Sequence, residues 1–256
     1  MTRKVTRAGI FVLAAIFTAG CASTSKVEKK TPEDREKVAD INTQLAIEYM
    51  RDGNNELALK KLDRAIEMDP DHAPAYSAKG LLYNRVGDFE KADRNFRKAI
   101  RLDPTNSSIL NNYGQVLCQN QQYEKGQEMF LKANENPLYR TPEIALSNAG
   151  TCAMEAGDVN TAEKHYREAL AVNPRIAPTL LQMSVLSHDL GRYLPARAYL
   201  QRYLEVGNHN AKSLWLGIRI ERELGDKDAL ASYSLQLEKG FPDTEEARLL
   251  LESKEN

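Results

Sequence analysis

Three stretches of the chain are variants of one phrase. GNNELALKKLDRAIEMDP (Gly53 to Pro70), GDFEKADRNFRKAIRLDP (Gly87 to Pro104) and GDVNTAEKHYREALAVNP (Gly157 to Pro174) each run from a glycine turn through helix formers to an Asp-Pro or Asn-Pro stop. The first two begin 34 positions apart. A fixed period of that length means one supersecondary unit used repeatedly, because a single short hairpin cannot bury enough apolar surface and has to stack on its copies. The expected fold is therefore all-α: a superhelix of about six helical hairpins with a C-terminal capping helix.

The helical pattern begins at Thr31, which suits an N-cap, with Pro32 at the first helical position and Glu33 and Asp34 complementing the positive end of the dipole. A long first helix is predicted to about Asp52, where Gly53 breaks it; Ala58, Leu62 and Ala65 mark the inner face of a second helix ending near Pro70. Gly80, Tyr83, Gly87, Ala92, Phe96, Ala99 and Pro104 resemble the tetratricopeptide-repeat motif almost in full. That resemblance implies that Gly80 and Ala92 let two helices approach closely while Tyr83 and Phe96 fill the space around them. Partial matches in register give repeats at 39–72, 73–106, 107–140, 143–176, 177–210 and 211–243, a cap at 244–252, and a repeat domain spanning 31–256. An insertion around Pro137 to Pro142 is expected to kink the stack. The sixth copy is degenerate: its Gly217 comes one place early and its turn, Gly225 to Ala229, is one residue short.

Residues 1–20 read as a signal peptide. Arg3, Lys4 and Arg7 precede an apolar run from Ala8 to Phe17, shorter than the ~20 residues that a membrane-spanning helix needs. Thr18-Ala19-Gly20-Cys21 resembles the bacterial lipobox, which implies cleavage before Cys21 and a diacylglycerol on its sulfur, joined by an N-acyl chain. Thr18 stands where leucine is usual, so an ordinary secretory signal ending near Cys21 is the other reading. Several acyl chains anchor firmly, because each buried methylene contributes about 0.8 kcal/mol. In Gram-negative lipoproteins, Ala22 in place of an Asp after the cysteine implies sorting to the inner leaflet of the outer membrane, with the body facing the periplasm. Residues 21–30 are rich in Ser and Lys and read as a flexible tether.

A net charge of −1 argues against a nucleic-acid surface. No nucleophile with a base, phosphate-binding glycine loop or metal-ligand spacing is present, so neither an enzyme, a cofactor, a metal nor a small-molecule substrate is expected. Ser23 and Lys26 match an S-x-x-K signature only formally, within the tether. His72, His165, His188 and His209 read as surface or hairpin-packing residues. Cys118 and Cys152 fall on first helices of adjacent repeats, where a disulfide or two buried free thiols are both compatible with the pattern.

In a tetratricopeptide superhelix the first helices line a concave groove. The sixth position of successive first helices holds Gln44, Ala78, Asn112, Asn148, Gln182 and Leu216, with Asn84, Asn111, Gln115 and Gln119 nearby. Amides both donate and accept, which suits the backbone of an extended peptide; a merely solvated polar groove is the alternative. Ile47, Met50 and Leu81 are apolar at groove-facing places, and read either as a partner site or as a patch covered by the tether or first helix. Trp215 reads as a partner anchor or as packing against the cap.

The lipobox, the tether, six repeats and the phrases LNNYGQVLC (Leu110 to Cys118), ALSNAGTCAMEAGD (Ala145 to Asp158) and ELGDKDALASYSLQL (Glu223 to Leu237) together resemble the pilotin family of type IV pilus biogenesis lipoproteins. The resemblance implies a non-enzymatic assembly factor that binds pilus secretin subunits and promotes their localisation and multimerisation. The alternative is a scaffold lipoprotein for another periplasmic machine, such as peptidoglycan synthesis or outer-membrane protein assembly.

Overall fold

The computed structural model describes residues 31–255, so the expected signal peptide, the lipidation site Cys21 and the tether lie outside the described residues. Among the described residues thirteen helices follow one another: α1 (Pro32–Arg51), α2 (Asn55–Met68), α3 (Ala73–Arg85), α4 (Phe89–Leu102), α5 (Ser107–Gln119), α6 (Tyr123–Asn134), α7 (Pro142–Glu155), α8 (Val159–Val172), α9 (Ala177–Asp189), α10 (Tyr193–Leu204), α11 (Ala211–Leu224), α12 (Lys227–Gly240) and α13 (Glu245–Glu255). There is no strand among the described residues. The last helix runs on to Glu255 instead of stopping at Glu252.

Local chemistry explains where the chain turns. Gly53, Gly87, Gly157 and Gly225 take left-handed backbone angles that a Cβ disfavours, and each is followed by Asn54, Asp88, Asp158 or Asp226. Those side chains accept the backbone N–H of Leu57, Lys91, Thr161 and Ala229, capping the second helix of the hairpin. The third hairpin has no such pair: Gln121 takes the left-handed angle itself, at φ 61°, and Gln122 makes no cap bond. At the start of α1 the expected N-cap Thr31 is present, and Asp34 answers it to form a reciprocal capping box.

Close helix approach is set by one contact that recurs. A Cβ on Gly80 would lie 2.6 Å from the Phe96 ring, one on Gly114 2.7 Å from Phe130, and one on Gly150 2.6 Å from Tyr166. The ring of the second helix thus fills the volume the missing side chain leaves on the first. Ala58, Ala92, Ala162 and Ala196, all buried, hold the reciprocal position on the second helices. In the sixth hairpin Tyr233 meets Gly217, so the register shift on both helices preserves the same contact.

Hairpins α1/α2 through α11/α12 stack in chain order. Each first helix touches the first helices of its neighbours, whereas second helices do not touch one another. The first helices therefore form the tight inner layer and the second helices the wider outer one, which curves the stack into a superhelix. Its core is a string of overlapping apolar clusters, each shared by adjacent hairpins. The last cluster joins Leu214, Ile218 and Leu237 to Ala247 and Leu250 of α13. No described helix is long and apolar enough to cross a membrane.

Candidate partner-binding groove

The inner layer is tied together by side-chain amides. Asn84 on α3 donates to Gln119 on α5 at 2.8 Å and accepts from Asn120 at 2.8 Å; Asn148 on α7 donates to Asn111 on α5 at 2.9 Å. Thr179 on α9 continues the series with a 2.7 Å bond to Ser147 on α7. Each such bond contributes roughly 1 kcal/mol net and sets the spacing of neighbouring first helices.

This corrects part of the sequence-based site. Asn111 is 7% exposed and held by Asn148, so it belongs to the packing of the inner layer and is not presented to the groove. Asn84 is half-buried with both ends of its amide engaged. Ala78 and Leu216, at the same repeat position as the groove amides, are buried. Among the described residues Asn112, Gln115 and Gln182 have no hydrogen-bond partner for their side chains; Asn112 and Gln115 are half-buried and Gln182 is exposed. These three amides, with the exposed Gln44 of α1 and the free carbonyl end of Asn148, are the amide groups the groove offers to an extended peptide.

The apolar candidates also separate. Ile47 is 43% exposed, while Met50 and Leu81 are half-buried against the apolar clusters of the first and second hairpins. Arg85 of α3 donates to the backbone carbonyl of Met50, which pins the C-terminal end of α1 to the second hairpin. Sequence reasoning missed Ile41 and Leu45, exposed on α1 together with Ile47. The signal was available: α1 carries apolar residues outside the stripe of Ala39, Thr43 and Ala46 that packs inward. Trp215 is half-buried against the cluster that α13 closes, with the Arg222 guanidinium 6.0 Å from its ring centre.

Cys118 and Cys152 are joined as a disulfide between α5 and α7, with their Cα atoms 5.6 Å apart. Gly126 makes room for it. A Cβ there would lie 2.2 Å from the Cys118 sulfur and 3.0 Å from the Gly114 carbonyl. The five other hairpins have alanine at this position (Ala58, Ala92, Ala162, Ala196 and the shifted Ala229), so a glycine in one repeat only, opposite two cysteines, is the sequence signal that favours the bridge.

The candidate groove residues are amides and aliphatic chains, which do not titrate. Each histidine meets neighbours of its own: His72 lies 3.3 Å from Asp40, His165 3.1 Å from Glu168, His188 3.0 Å from Asp189 and His209 3.1 Å from Ser213. Burial holds the His209 imidazole below its usual pKa. Among the described residues no group of three or more His, Cys, Asp or Glu is arranged to hold a metal ion.

Models of the tetratricopeptide repeat match residues 39–72, 73–106 and 95–128. The chain is 32% identical to the type IV pilus assembly protein PilF of Pseudomonas aeruginosa over 237 residues, covering 92% of this chain and 94% of that protein. The solved structure of P. aeruginosa PilF superposes with a TM-score of 0.75 at 31% identity, over 86% of this chain and 99% of PilF. The crystal structure of PilW, described as a widely conserved type IV pilus biogenesis factor, superposes with a TM-score of 0.76 at 32% identity, over 84% of this chain and 99% of PilW.

Proposed function

The chain belongs to the type IV pilus assembly family of PilF and PilW, and from that premise we propose that it is a pilotin, a lipid-anchored escort that binds pilus secretin subunits and promotes their assembly in the outer membrane. The observation that carries this reading is the likeness to PilF along nearly the whole chain, repeats and flanks together. Repeat motifs alone would indicate only a surface for other proteins.

The mechanism needs binding and no chemistry. A secretin segment lies in the groove, its backbone groups met by Asn112, Gln115, Asn148 and Gln182, and its apolar side chains met by Ile47 with the exposed parts of Met50 and Leu81. Acyl chains on Cys21 carry the complex to the inner leaflet of the outer membrane, and tethering there raises the local concentration of subunits that must close into a ring. Because the contacts assigned to the client are uncharged, this binding is expected to change little with salt.

Affinity purification of the lipidated chain from piliated cells is the test. Secretin is expected among the recovered proteins, and Ile47→Asp with Leu81→Asp is expected to reduce it several-fold while helicity stays unchanged. Recovery of a peptidoglycan transglycosylase or an outer-membrane assembly component in place of secretin would support the scaffold reading. Cys21→Ser is expected to leave a folded chain off the membrane and secretin rings depleted; normal rings in that strain would end the escort mechanism.

A further inference from the structure

On the outer face, α4 and α6 wall a trough whose floor is α5. Its volume is about 1160 Å³, above the roughly 300–1,000 Å³ of small-molecule sites. Leu110, Tyr113 and Leu117 form the apolar floor, and Ile100 and Met129 line the walls. Tyr113 is fixed by its hydroxyl, which donates to Asp93. One end is closed where Asn136 donates to the backbone carbonyl of Thr105 at 3.3 Å.

The trough has a local cause. Gly126 lets α6 settle against the disulfide, and Gln127 donates to the Ala149 carbonyl of α7 at 2.8 Å. Both contacts draw α6 toward the fourth hairpin and away from α4. The connection 135–141, longer than the connections 69–72 and 103–106 between earlier hairpins, permits the shift. At its mouth stands Leu138, 84% exposed, at the repeat position where Pro70, Pro104 and Pro174 stand elsewhere.

The rim is charged unevenly. Arg97 and Lys132 meet the carboxylates of Asp93 and Glu128, each within 2.8 Å. Arg101 and Lys125 are exposed and meet no carboxylate among the described residues; Lys125 bonds only the Gln122 amide. One carboxylate on the rim, Glu135 just past α6, is likewise exposed and meets no cation among the described residues, so the unpaired groups are two cations on opposite walls against one anion, above an apolar floor. Such a trough fits a helix laid along it, with apolar anchors down and carboxylates on its flanks.

We propose that the α4–α6 trough is a second docking site, separate from the concave groove, which receives an amphipathic helix with acidic flanks from a partner protein. A client held on both faces would dissociate more slowly than one held by the groove alone. The inference goes beyond the groove reading and stands or falls independently of it.

The test uses the full lipidated chain in nanodiscs, with empty nanodiscs as the blank. The probes are two labelled peptides of about 18 residues, long enough to hold a helix, with one leucine stripe flanked by Glu in the first and by Lys in the second. The Glu-flanked peptide is expected to bind at least about tenfold tighter, to weaken in high salt, and to lose to its twin when Arg101→Glu and Lys125→Glu are combined. Met129→Glu is expected to weaken both peptides, and Ile47→Asp neither. Equal binding of the two peptides, or a preference that survives the charge reversal, overturns the proposal. So does a chain that self-associates through this trough, seen as mass growth in sedimentation that the charge reversal abolishes. Circular dichroism melts of the variants separate lost binding from lost fold.

Discussion

The two ends of the stack are treated differently. At the C-terminal end α13 lies across the sixth hairpin, burying Ala247 and Leu250 against Leu214, Ile218 and Leu237. At the N-terminal end α1 has no preceding described helix against it, and Ile41 is 55% exposed. A solenoid needs a polar outer surface at each terminus to stay soluble. One terminus meets that need within the fold. The other leaves aliphatic side chains uncovered on α1, as exposed apolar clusters at partner sites often are.

Matched substitutions at the two ends would break or sharpen this contrast. Leu250→Glu places a charge in the closed end and is expected to cost about 4 kcal/mol, seen as early urea unfolding of the last hairpin. A loss near zero would mean that α13 is not a cap. Between the ends, Cys118→Ser with Cys152→Ser removes the covalent tie across the third and fourth hairpins. A loss of about 3 kcal/mol is expected, with one unfolding transition splitting into two as the halves uncouple.

A smaller effect belongs to the closed end alone. Burial lowers the His209 pKa in the folded chain, so the unfolded chain binds the proton more readily. That contribution is fully present above about pH 6.5 and is lost as pH falls through the folded pKa. Stability is expected to decline in that window and His209→Gln to flatten the decline, measured by thermal melts across pH. Ile41→Glu, at the open end, should be the smallest change, within about 0.5 kcal/mol. A larger loss there would show that α1 packs against something after all.

Much of the fold was legible because the repeat is written in steric requirements. Gly80 opposite Phe96 and Gly87 before Asp88 are each demanded by a contact or a backbone angle, and each occurs at a fixed offset. The shifts of Gly217 and Ala229 in the sixth copy were also visible, and Tyr233 against Gly217 shows the packing they conserve. The groove was less legible. Position in the repeat identifies the face a residue occupies but not its hydrogen-bond partner, so Asn111 and Asn112 looked equivalent although only Asn111 is locked into the inner layer.

What the residues determined by themselves is the unit and its repetition: helix, tight turn, helix, with small and large side chains placed so that one hairpin must lie on another. What only the tertiary structure decided depends on distances between repeats, which no local pattern encodes. The bridge between Cys118 and Cys152, the pairing of groove amides and the opening of the α4–α6 trough all follow from how far one hairpin sits from the next. That spacing is set jointly by packing, an inserted loop and a covalent bond, and it exists only once the stack has formed.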